Sequence, residues 1–106
     1  MRIGTWNLEG RWDRRHLAFV EGLDCDVLLL TEVRDDTQIP GMSLHMTKIQ
    51  MMPGRRWAAV ASRSELAALP GPHGAAAMAD VNGLRFCSSV LPWRGFARWW
   101  PEVSGS

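Results

Sequence analysis

Tyrosine is missing from this 106-residue chain, and only Lys48 interrupts an otherwise all-arginine set of twelve basic residues. Neither sign of charge prevails: 12 Lys and Arg against 11 Asp and Glu leave a net charge of +1. That balance excludes a polybasic protein whose hold on nucleic acid comes from bulk charge. Long apolar runs are lacking too. Runs such as Val27-Leu28-Leu29-Leu30 are far shorter than the roughly 20 residues a membrane-crossing helix needs. Cysteine is scarce. Cys25 and Cys87 each lie in an apolar, strand-like run, so a disulfide framework or zinc site finds no partners. Both are expected to be buried free thiols of a reducing cytoplasm. The opening Met1-Arg2 leads straight into β-forming residues, without the apolar h-region of a secretory leader. The expected location is cytoplasmic.

Hydrophobic residues make up 46% and charged residues 22%, which excludes wholesale disorder. The length suits one small core. Along it, Ile3 to Leu8 reads as a strand stopped by Glu9-Gly10. Trp12, His16, Phe19, Val20 and Leu23 recur at helical spacing and predict a helix over 12–22 closed by Gly22. Cys25 to Thr31 is apolar without alternation, as in a strand covered on both faces. Strand, helix and strand in so few residues predict a parallel β-α-β unit. Residues 43–51, 56–62 and 64–69 read as further strands. Asn82-Gly83 tolerates the positive φ angles of a type I′ turn, and so predicts a hairpin between Ala75–Val81 and Leu84–Leu91.

Three polar residues fall where the first two strands are expected to end: Asn7, Glu9 and Glu32. Parallel strands would bring them to one sheet edge, where open sheets place ligands. Two carboxylates and an amide oxygen are hard donors, suited to Mg²⁺ or Mn²⁺ and not to zinc. Polar residues at strand ends also serve as caps, so the spacing alone leaves both readings open.

The surrounding residues add a resemblance. Thr5-Trp6-Asn7-Leu8-Glu9-Gly10 resembles the opening motif of the endonuclease–exonuclease–phosphatase superfamily, the deoxyribonuclease-I-like and exonuclease-III-like group. Asp26-Val27-Leu28-Leu29-Leu30-Thr31-Glu32-Val33 resembles its second motif, and Ala58-Ala59-Val60-Ala61-Ser62-Arg63 its third. The resemblance implies an α/β (α+β) fold, the N-terminal half of a two-sheet, four-layer sandwich, with residues 1–106 as a single incomplete domain. It implies Asn7 as the catalytic residue that positions phosphate and metal-bound water. Glu32 follows as a ligand of Mg²⁺ or Mn²⁺, with Glu9 a second acidic residue near that metal. Arg63 matches a landmark of mainly structural role. Arg94 and Trp93 are the candidate substrate-binding residues, one for phosphate and one for stacking; packing over the sheet is the other reading of that tail.

Superfamily members run to on the order of 250 residues, and their later Gly-Asp-x-Asn and Ser-Asp-His motifs do not occur in this sequence. His16, His45 and His73 are expected to be structural or solvated. The implied function is that of a metal-dependent phosphoesterase in its complete form, inactive as this chain alone. Losing acid–base assistance costs about 10²–10⁴-fold in rate. The alternative is a non-catalytic binding or interaction module derived from the fold. The substrate is a phosphoester. Nucleic acid is the leading class, with lipid and small phosphoesters left open. The half-sandwich also implies an uncovered apolar face on the strands at 25–31 and 56–61. An oligomer or a partner chain would cover it.

Overall fold

In the computed structural model, described over residues 1–90, a five-stranded sheet lies between one helix and a second, three-stranded sheet. The first unit is β1 (Ile3–Asn7), α1 (Arg14–Leu23) and β2 (Val27–Arg34). β1 and β2 pair in parallel, with Ile3 opposite Val27 and Asn7 opposite Thr31. The chain then makes β3 (Ser43–Met46), β4 (Gln50–Met52) and β5 (Arg55–Ser62). The sheet order is β1-β2-β5-β3, with β4 also on β5. Three antiparallel strands, β6 (Leu66–Leu69), β7 (Ala76–Val81) and β8 (Leu84–Ser89), form the second sheet.

The helix differs from its expected bounds for a local reason. Asp13 is the N-cap: its Oδ1 accepts the N–H of Arg15 at 2.8 Å and of His16 at 3.1 Å. The same oxygen meets His16 Nδ1 at 2.8 Å. These contacts, the His16 side chain foremost, hold the Asp13 carboxyl at about 2. Gly22 does not end the helix. The left-handed residue is Asp24, at φ 53°, and its N–H reaches the Glu21 carbonyl. Its carboxylate is held by the Arg63 guanidinium, which keeps it below the usual carboxylate range. Arg63 thereby ties the α1–β2 turn to the end of β5, and its N–H also bonds the Asp26 carbonyl.

Residues 43–51 make two strands instead of one. Buried Thr47 turns the chain between them: its Oγ1 donates to the Ile49 carbonyl and accepts the Trp57 N–H at 3.1 Å. The hairpin at Asn82-Gly83 forms as the sequence predicts, with φ of 50° and 80°. Cys25 is buried, but Cys87 is exposed on β8, correcting the expectation that both thiols are covered. Among the described residues no helix is long and apolar enough to cross a membrane.

The expected bare apolar face is also corrected. Helix residue Val20 packs with Leu28, Leu30, Ala59 and Ala61 on one side of the large sheet. On the other, Val27, Ala58 and Val60 meet Ala77, Ala79, Val81 and Phe86 of the second sheet. Alanine at so many facing positions lets the two sheets approach closely, and Ser88 Oγ donates across to the Leu30 carbonyl at 2.7 Å. The edge strand β1 stays outside this cover. Its Ile3 is 51% exposed, and Thr5 and Asn7 are exposed beside it.

Candidate active site

The parallel pairing of β1 with β2 decides where the polar residues meet. Asn7 is the last residue of β1 and faces Thr31, so Glu32 stands one residue further along the neighbouring strand. The Leu8 N–H bonds the Thr31 carbonyl at 3.0 Å and the Gly10 N–H bonds the Glu32 carbonyl at 2.8 Å. The turn Leu8-Glu9-Gly10 is therefore laced to the backbone on either side of Glu32.

β2 does not stop at Glu32; it runs on to Arg34. Glu32 interrupts the strand in another way, with φ of 52°. Glu9 has φ of 53°. Left-handed backbone is unfavourable for a residue with a Cβ. Such residues collect where a structure holds strain for a purpose. The consequence is visible in the packing. Strict alternation would group Glu32 with Leu28 and Leu30, yet Val33 joins their cluster instead. The left-handed residue shifts the alternation by one and takes a carboxylate out of the helix-side core.

Asn7 is exposed, and its Oδ1 accepts the Glu9 N–H at 2.9 Å. That bond engages the amide oxygen, so Nδ2 keeps its two donor hydrogens for another acceptor. Asn7 also lines an open cleft of about 470 Å³ with Thr5, Leu29, Thr31, Ser88 and Ser89. A second opening of about 530 Å³ lies by α1, lined by Leu17, Ile39 and Met42, and holds no titratable group. Among the described residues the carboxylates of Glu9 and Glu32 make no hydrogen bond or ion pair. The same residues include no group of three or more His, Cys, Asp or Glu side chains able to hold a metal.

None of the three histidines belongs to this turn. His16 stacks on Trp6, with ring centroids 5.4 Å apart. His45 lies on β3 opposite Val60. His73 Nδ1 accepts the Ala75 N–H at 3.2 Å. Arg94 and Trp93 lie outside the described residues. Two features stand outside the expectations drawn from the sequence. The triplet Asp80-Val81-Asn82 has the Asp-x-Asn form with Ala79 in place of glycine; it belongs to the β7–β8 hairpin, where Asp80 pairs with Arg85 at 2.9 Å. The other is Arg55, which packs against Gly10: a Cβ built there would overlap the Arg55 guanidinium. A side chain there would push the guanidinium aside, and the φ of 70° independently favours glycine.

No protein-family model matches the chain. No curated protein matches it by sequence. Its structure is similar to the endonuclease domain of TRAS1, a telomere-specific non-LTR retrotransposon, with a TM-score of 0.57 at 13% identity. The match covers 98% of this chain and 52% of that one, so this chain spans about half the length of its structural neighbour. The fold is a partial deoxyribonuclease-I-like sandwich. At this identity the likeness is one of architecture.

Proposed function

We propose that the turn joining Asn7, Glu9 and Glu32 is the metal- and phosphate-holding part of a phosphoester-hydrolysing site, and that the chain alone does not complete that site. The observation that carries this reading is the pair of left-handed glutamates on adjacent backbone segments, bridged by the Gly10–Glu32 hydrogen bond. The neighbour's description as an endonuclease domain supports nucleic acid as the substrate class.

The donors suit a hard divalent ion. Mg²⁺ keeps several of its waters and binds through one or two carboxylates with substrate phosphate. Glu32 and Glu9 would supply those carboxylates; zinc prefers softer histidine and thiolate ligands. When bound, such an ion supplies charge neutralisation at the phosphate and at the leaving oxygen. The chain's own part is positioning. Asn7 Nδ2 offers hydrogens to a phosphate oxygen, while its Oδ1 stays tied to Glu9. Leu8 and Gly10 hold the turn rigid through their bonds to β2. No described histidine stands at this turn to move a proton, so hydrolysis lacks its acid–base partners. The same geometry without turnover is a phosphate-binding module, the second reading.

Titration calorimetry with Mg²⁺ tests this. The chain is expected to bind one ion. Glu32→Gln should weaken it by roughly 10–100-fold or more, the range seen even for residues that merely support metal ligands. Glu65→Gln, an exposed residue just before β6 and beside the Asn82-Gly83 hairpin, should leave it unchanged. Supercoiled plasmid incubated with Mg²⁺ and the chain should stay supercoiled. Equal Mg²⁺ affinity in the two variants would sink the reading.

A further inference from the structure

We infer that Arg55 is the anion-binding residue of this turn, gripping a phosphate group beside Asn7. Four other arginines are spoken for. Arg34 pairs with Asp36, Arg56 with Asp35, Arg63 with Asp24 and Arg85 with Asp80. Arg2, Arg11, Arg14 and Arg15 are exposed to water. Arg55 alone among the described residues combines partial burial with a guanidinium that makes no hydrogen bond or ion pair.

Its place is specific. The guanidinium lies on Gly10, where any Cβ would collide with Nε and Cζ. Gly10 donates to the Glu32 carbonyl and stands three residues after Asn7. Arg55 begins β5 and is paired to Arg34, the last residue of β2. Two strands and one turn thus fix the stem of the side chain and leave its head free at the turn. A partly desolvated guanidinium with unused donors favours an anion that can replace the lost water. Its five N–H groups form a planar fork that matches two phosphate oxygens at once. Glu9 and Glu32 put negative charge on the same turn, so a phosphate arriving without a metal depends on Arg55 for attraction.

This deepens the reading above, and its test is run without metal so that the two can fail separately. Inorganic phosphate is titrated into the full ¹⁵N-labelled chain in EDTA at low salt. The Gly10 amide and the Arg55 Nε–H resonances are expected to shift. Arg55→Gln should raise the phosphate Kd by about tenfold, the effect of losing one hydrogen bond to a charged group. Arg55→Lys should raise it less, since the charge stays but the fork is lost. Its backbone spectrum reports whether the fold survives if the glutamine variant proves unstable. Arg85→Gln should change nothing. Glu32→Gln should leave the affinity the same or tighter, even though it removes the metal ligand. Repeating the titration with diethyl phosphate separates sources: Arg55-dependent binding of both assigns a diester, and of inorganic phosphate alone assigns a terminal phosphate. A Kd unchanged in both Arg55 variants, or shifts centred away from Gly10, would overturn the inference.

Discussion

Trp57→Ala is expected to lower the unfolding free energy by about 3–5 kcal/mol, the range for removing a large aromatic from a core. Trp57 is fully buried and packs with Ala75, Ile49, Met51 and Val90. These come from the β4 region, the loop before β7 and the residue after β8, so one side chain joins three separate parts of the chain. Its backbone N–H is also held by Thr47 Oγ1. Small domains have only about 5–15 kcal/mol of stability in total, so the variant should lose a large share of its folded population. The urea midpoint, read by far-ultraviolet circular dichroism, checks this. A loss below about 1 kcal/mol would mean that this corner of the core rearranges freely around the missing indole.

Glu32→Gly should split stability from function. A residue with a Cβ held in left-handed backbone carries about 1–2 kcal/mol of strain. Glycine removes that strain but adds about 0.5–1 kcal/mol of backbone entropy cost. The net expectation is a gain of up to about 1 kcal/mol in unfolding free energy. Mg²⁺ affinity should fall by roughly 100-fold or more in the same variant, since the carboxylate is gone. Thr31→Gly, one residue earlier in ordinary extended backbone, should destabilise instead. A destabilised Glu32→Gly would mean that φ of 52° here reflects no strain relieved by glycine.

Much of the architecture was legible from residue patterns. The apolar stretch before Glu32, covered on both faces, lacks alternation for the reason expected of a doubly packed strand. Asn82-Gly83 announced its hairpin through the two positive φ angles that this pair tolerates. The helix ended later than Gly22 because Asp24, clamped by Arg63, serves as the left-handed cap, and a pairing across 39 residues leaves no local signal. The second sheet was foreseen only as strands. That it folds back over Val27, Ala58 and Val60 depends on tertiary packing of small residues, which periodicity does not report.

At the turn, the order of Asn7, Glu9 and Glu32 and their place at one sheet edge followed from a parallel β-α-β reading. The strand continuing past Glu32 did not, because a left-handed glutamate breaks no sequence rule. Arg55 was equally silent. It lies 45 residues from Gly10, and the only trace of their contact is a glycine that a turn would accept anyway.

Paramagnetic broadening by Mn²⁺ addresses the central claim most directly. Substoichiometric Mn²⁺ is added to the ¹⁵N-labelled chain, and amide signal loss is mapped on residues 1–90. The account predicts loss centred on Asn7, Gly10 and Glu32, spreading to Arg55 and Thr31, reversed by excess Mg²⁺ and abolished in Glu32→Gln. Broadening that centres on another carboxylate, such as Asp35 or Asp80, or that persists unchanged in Glu32→Gln, would contradict it.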